Sequence, residues 1–156
     1  MISALCEAGF YFGEPAWVEK AELTANKIWD KCIFDNNRLR SVLYGDEATF
    51  NGYLDDYASY AHALLSLASK IDWISPGKSS GYIEKAETIL ESVTQHFKDP
   101  DSTGYFFTSD DHEDLVRRSK DVMDNAVPCG NSILLHCFSE AHNLTGRWLD
   151  EYTELS

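Results

Sequence analysis

Trp17-Val18-Glu19-Lys20-Ala21-Glu22 recurs as Tyr82-Ile83-Glu84-Lys85-Ala86-Glu87, and its opening returns as Trp148-Leu149-Asp150-Glu151-Tyr152. The first residues lie 65 and then 66 positions apart, and Gly13, Gly81 and Gly146 stand ahead of the three copies. A fixed period marks a repeated supersecondary unit. In the first copy Trp17, Ala21, Ala25, Ile28, Trp29, Cys32 and Ile33 follow steps of three and four, with Glu19, Lys20, Glu22, Asn26 and Asp30 between them. The second copy repeats the pattern through Ile83, Ala86, Ile89, Leu90, Val93 and Phe97. Both read as amphipathic helices with one wet face.

The intervening helices are of another kind. From Leu54 to Ile71 apolar residues fall nearly all round the helix, and Ile2 to Phe12 and Ser132 to Ala141 are similar. Such helices are buried on most sides. The order buried, amphipathic, three times over, predicts an inner and an outer layer of helices. The fold expected is therefore all-α: three inner–outer helical hairpins in one domain over residues 1–156. Links from buried to amphipathic helices are short, whereas 34–52 and 98–130 are long. Loops of that length in a compact domain are usually functional. Each reads as a β-hairpin: Arg38 to Tyr44 returning through Gly45-Asp46-Glu47 towards Tyr53, and Gly104 to Thr108 returning through Leu115 to Arg118. Alternation of the links puts both at one end of the bundle.

Composition narrows the function classes. The 156 residues suit one domain. Against 13 basic residues stand 26 acidic ones, a net charge of −13 and a pI near 4.6. That field repels nucleic acid and anionic lipid, so neither is an expected partner. No apolar run is long enough to span a bilayer. No basic segment precedes the first apolar stretch, as it would in a signal peptide. Cys6, Cys32, Cys129 and Cys137 form no C-x-x-C pair and read as reduced thiols of a cytoplasmic protein. The histidines show no paired spacing that would hold a metal, so neither metal nor cofactor is expected.

Five motifs occur in a recognisable order: Met1-Ile2-Ser3-Ala4-Leu5, Arg38-Leu39-Arg40-Ser41, Gly52 to Ala58, Gly104-Tyr105-Phe106-Phe107-Thr108, and Asp124 to Ser132. Together they resemble the C-terminal region of the thioredoxin-domain-containing spermatogenesis-associated protein family. The family's Pro-Ser-Gly-Asn-Ser reads Pro128-Cys129-Gly130-Asn131-Ser132 here. The resemblance implies an α/α toroid of the six-hairpin glycosidase type, similar to N-acylglucosamine 2-epimerases. This chain would supply about half of the ring and lacks the thioredoxin-like domain. It also implies a carbohydrate-active or sugar-binding role, with acids and bases at inner-helix N-termini. A glycoside hydrolase or an epimerase-like enzyme would fit. A non-catalytic scaffold, or an inactive fragment of a larger protein, is the alternative.

On this reading Asp55 or Asp56 pairs with Asp121 or Asp124, because glycosidic cleavage needs one protonated and one ionised carboxyl. Each aspartate can instead cap a helix or loop. Arg40 and Arg118 would orient a ligand, with Tyr57 and Asn131 beside them. The arginines of the two hairpins can equally pair with the aspartates. His62 lies on the buried helix below Asp55 and reads either as a core histidine or as an acid–base group. Cys129 at a helix entrance has no histidine near it in sequence. With three hairpins of six, the edges at Met1, Ile2, Leu5, Trp148, Leu149 and Tyr152 predict a two-fold dimer, unless the rest of a toroid covers them.

Overall fold

A computed structural model describes residues 1–112 and 117–156, with Asp35 described by its backbone only. The chain runs α1 (Ile2–Phe12), α2 (Pro15–Cys32), β1 (Ile33–Phe34), a 3-10 turn (Asp35–Asn37), β2 (Arg38–Tyr44), β3 (Glu47–Asn51), α3 (Leu54–Ile71), α4 (Ser79–Phe97), α5 (Gly130–Thr145) and α6 (Leu149–Leu155).

The helices pair in sequence, α1 on α2, α3 on α4 and α5 on α6, and α3 is the hub that touches α1, α2, α4 and α5. Its composition explains this place. Tyr57, Ala58, Ala61, Leu64, Leu65, Leu67 and Ile71 are buried on several sides of the helix. A helix apolar nearly all round must be packed on most of its circumference. The outer helices bury one stripe each: Val18, Ala21 and Ala25 in α2, and Ala86, Ile89, Leu90 and Val93 in α4. One hydrophobic cluster runs from Ile2 to Trp148.

The expectation of an all-α partial toroid is overturned. Alongside its six helices the chain carries a three-stranded antiparallel sheet in the order β1-β2-β3, which makes the architecture mixed. Ile33 and Phe34 pair with Leu39 and Arg38, and Arg40, Val42, Leu43 and Tyr44 pair with Asn51, Thr49, Ala48 and Glu47. The sheet is part of the core rather than a decorated loop. Leu39 is buried, and its N–H donates to the Tyr57 hydroxyl on α3 at 2.8 Å. The two-residue turn works because Gly45 has φ +62°, a sign glycine adopts freely.

The second expected hairpin does not form among the described residues. Tyr105 makes a single antiparallel bridge with Lys98, and Phe107 N–H donates to Ser119 at 2.8 Å. Part of its return arm, residues 113–116, lies outside the described residues. Helix α1 is also less buried than its composition predicts: Tyr11 and Phe12 are exposed. Of the expected open-edge residues, Met1 and Leu149 are exposed, but Ile2 and Trp148 are buried, with Trp148 stacked on Phe138. All four cysteines are free and buried. Among the described residues no helix is long and apolar enough to cross a membrane.

Candidate functional site

A cavity of about 540 Å³ opens where α1, α2, β2, α3 and α5 meet. Its apolar wall is made by Ile2, Ile28, Leu39, Leu43 and Ile133. Its polar lining comes from Arg40, Asp56 and His62, with the hydroxyl residues Ser3, Thr24, Ser41, Ser59 and Tyr60. Local sequence explains why these groups gather. Strand β2 runs along the cavity, with Leu39 buried in its wall and Arg40 and Ser41 among its polar lining. On α3, Asp56, Ser59 and His62 recur at intervals of three, one helical face.

Asp56 does two jobs. One oxygen accepts the Tyr53 N–H at 2.9 Å, closing the first turn of α3, and the residue also lines the cavity. Arg40 donates to the side-chain Oδ1 of Asn51, its partner across the β2–β3 ladder, and its guanidinium lies 5.4 Å from the Phe34 ring centre. These contacts hold the arginine in place at the rim.

The remaining expected site residues are elsewhere. Asp55 is exposed as a residue, but its carboxyl end is shielded against the N-terminus of α5, where a Cβ on Gly130 would come within 2.6 Å of its Oδ1. Its carboxyl is raised above the usual range by burial, opposed by the Gly130 N–H and reinforced by the charges of Asp56 and Asp121. Asp121 accepts the Met123 N–H at 3.2 Å in a local turn. Asp124 accepts the Cys129 N–H at 3.0 Å. That bond, with a further one from the Ser132 hydroxyl, lowers its carboxyl below the usual range. The aspartates therefore meet around the entrance to α5, and only Asp56 reaches the cavity. No second carboxylate of the described residues faces it there, as two-carboxylate glycoside hydrolysis would need.

Tyr57 is fully buried and holds the Leu39 N–H. Asn131 is buried and pins a loop: Oδ1 accepts the Tyr105 N–H at 2.9 Å, and Nδ2 donates to the carbonyls of Tyr105 and Asp121. Arg118 donates to the carbonyls of Thr108 and His96 and lies over the Phe106 ring. All three side chains are taken by the fold. Among the described residues the hairpin arginines make no ion pair with the four aspartates, and Arg38 bonds Asp111 instead. Tyr53 stacks on Phe107 with ring centres 4.8 Å apart.

One group was missed from the sequence. His62 on α3 and His136 and Glu140 on α5 offer ligand atoms that all lie within 4.8 Å of one another. The His62 and His136 ring centres are 5.2 Å apart. Burial, then the neighbouring His136, lowers the pKa of His62, while burial raises the carboxyl of Glu140. The spacing of His136 and Glu140, four apart on one helix face, was the available signal. Its partner on α3 comes from a distant part of the chain. No family model matches this chain, and no curated protein matches it.

Proposed function

We propose that this protein is a saccharide-binding module and that the cavity rimmed by Arg40 and Asp56 is its ligand site. The observation that carries the reading is the composition of that cavity. At about 540 Å³ it falls within the range of small-molecule sites, roughly 300–1,000 Å³. A guanidinium, a carboxylate, an imidazole and the hydroxyl residues Ser3, Thr24, Ser41, Ser59 and Tyr60 share it with aliphatic side chains. A sugar presents the matching pattern, hydroxyls at its edge and C–H groups on its faces. The ordered motifs shared with the spermatogenesis-associated thioredoxin-domain proteins support membership of that family and a carbohydrate ligand. Binding is favoured over hydrolysis because, among the described residues, Asp56 stands without a second carboxylate in the cavity. The four buried free thiols suit a reducing compartment such as the cytoplasm.

Ligand-observed NMR against neutral hexoses, N-acetylhexosamines and hexuronic acids tests this reading. Saccharide signals should respond to the wild-type chain and fail to respond to Arg40→Ala and to Ser59→Trp, which fills the cavity. A response that survives both substitutions, or none with wild-type protein, rules the site out.

A second reading has its own observation. Phe10, Tyr11 and Trp73 are exposed at one end of the bundle, and Phe10 packs edge-on against the other two rings. Phe12 and Trp17 make a similar exposed pair. Aromatic patches of this kind are enriched where proteins associate. They support a dimer or another scaffold contact, read by light scattering across a concentration series, with Phe10→Ser expected to shift the distribution towards monomer.

A further inference from the structure

We propose that His62, His136 and Glu140 form a binding site for a divalent transition-metal ion, Zn²⁺ in the first instance. Two imidazoles and one carboxylate are the ligand set of many zinc sites that keep open positions, and of other first-row metal centres. Ligands about 2.1 Å from a tetrahedral metal stand about 3.4 Å apart, so donors already within 4.8 Å need only small side-chain rotations.

The backbone makes this arrangement rigid. Leu134, Cys137, Phe138 and Ala141 are buried against the core, which sets the rotation of α5 about its axis. That rotation carries His136 and Glu140, four residues apart, on a neighbouring stripe beside His62. Helix α3, which carries His62, has more buried residues than any other helix of the fold.

The ligand atoms are also available. Among the described residues neither His136 nor Glu140 makes a hydrogen bond or an ion pair. Lys70, whose charge also reaches Glu140, makes its ion pair with Glu7 at 3.5 Å. Ser3 Oγ lies 3.5 Å from His62 Nδ1, placed to orient the ring, as outer partners of ligating histidines do. The second group of potential ligands, His96, Asp110 and Asp111, differs on this point. His96 Nδ1 is bound to Asp110 at 2.8 Å, and Asp111 holds Ser109 and Arg38. Because His62 also lines the cavity, a metal here would sit at the cavity's edge, with open positions for water or a ligand oxygen. The inference does not depend on what the cavity binds.

Zn²⁺ titration of the metal-free full chain by calorimetry, and Co²⁺ absorption spectroscopy, test the site without any enzymatic readout. Wild type should take up one equivalent of Zn²⁺, and Co²⁺ should show the visible bands of a low-coordinate nitrogen and oxygen site. His136→Ala and Glu140→Gln should each abolish that uptake, and Ser3→Ala should weaken it about tenfold as an orienting residue. His136 is exposed, so its removal leaves the core intact, and circular dichroism checks the fold of each variant. His96→Ala should bind as wild type. No uptake by wild type at micromolar protein, uptake unchanged in both ligand variants, or uptake lost in His96→Ala overturns the proposal. A thiolate-to-cobalt charge-transfer band would overturn it too, by placing the ion on a cysteine.

Discussion

The connections that lead into α3 and α5 begin alike, as long loops returning to the N-terminus of a buried helix, yet they use their polar side chains oppositely. Residues 33–51 satisfy their backbone with a ladder, β1 on β2 and β2 on β3. Arg40, Ser41 and Asp56 are thereby left at a cavity. Residues 98–129 have almost no ladder among their described residues, a single bridge between Lys98 and Tyr105. Buried backbone groups must find partners somewhere. Here scattered backbone pairs, such as Phe106 N–H on Phe97 and Phe107 N–H on Ser119, are supplemented by side chains: Asn131 on Tyr105 and Asp121, Arg118 on Thr108 and His96, Lys120 on Thr103, and Asp124 on Cys129. A polar side chain buried in completing the backbone is not free to meet a ligand, whereas Asp56 completes one turn and still lines the cavity. Strand pairing in one loop, and its scarcity in the other, decides which residues are available for function.

Asn131→Ala gives the largest expected effect. It removes three hydrogen bonds around the buried Tyr105, and the loss should be about 3 kcal/mol. For a chain of this size that is a fall in Tm of about 10 °C, measured by thermal denaturation. A fall of only a degree or two would show that residues 98–129 do not rely on side chains after all.

Gly130→Ala comes next. The new methyl would meet Asp55 Oδ1 at 2.6 Å and Leu54 Cγ at 2.9 Å, so the α3–α5 junction must shift. Overpacking of this kind should cost about 2 kcal/mol, read as a lowered urea midpoint with unchanged m-value.

The two arginines separate the regions directly. Arg118→Ala removes charged donors from two carbonyls and should destabilise by about 1.5 kcal/mol. Arg40→Ala should change stability by less than about 1 kcal/mol while abolishing saccharide binding. Equal effects of the two substitutions on both readouts would erase the distinction.

The smallest effect concerns pH. Asp124 has a depressed carboxyl, chiefly through the Cys129 N–H, so its stabilising contribution is complete above the unfolded value of about 3.9 and is lost as pH falls through the lower folded value. Asp55 behaves in the opposite sense. Burial raises its carboxyl, so its contribution is complete below about 3.9 and is lost as pH rises through the raised folded value. Asp124→Asn should therefore flatten the acid limb of the stability curve. Asp55→Asn should lessen the loss on the rising side. Urea unfolding between about pH 3 and pH 7 compares them, and identical curves for the two variants would count against the assignment.

Much of the local structure was legible along the chain. The repeat of Trp17, Tyr82 and Trp148, the two-sided burial of Leu54 to Ile71, and the strand Arg38 to Tyr44 with its turn at Gly45 all depend on neighbours within a few residues. Periodicity records which face is buried, so helices and one hairpin could be read from it. That the sheet belongs to the core was not legible, because the Leu39 N–H finds the Tyr57 hydroxyl only after α3 packs beside it.

Candidate residues were legible by type and not by task. Asp55, Asp56, Asp121, Asp124, Arg40, Tyr57, Arg118 and Asn131 all read as chemistry-bearing groups, yet only Arg40 and Asp56 line the cavity. Backbone demand claims Asn131 and Arg118, and that demand is set by whether a distant strand is present to pair. The meeting of His62 with His136 and Glu140 likewise needed the α3–α5 packing. Sequence alone determined the helical faces and the charge of the surface, since both are sums over local residues. Tertiary structure decided which polar atoms remain unpartnered, since each atom's partner is supplied by whichever element packs against it.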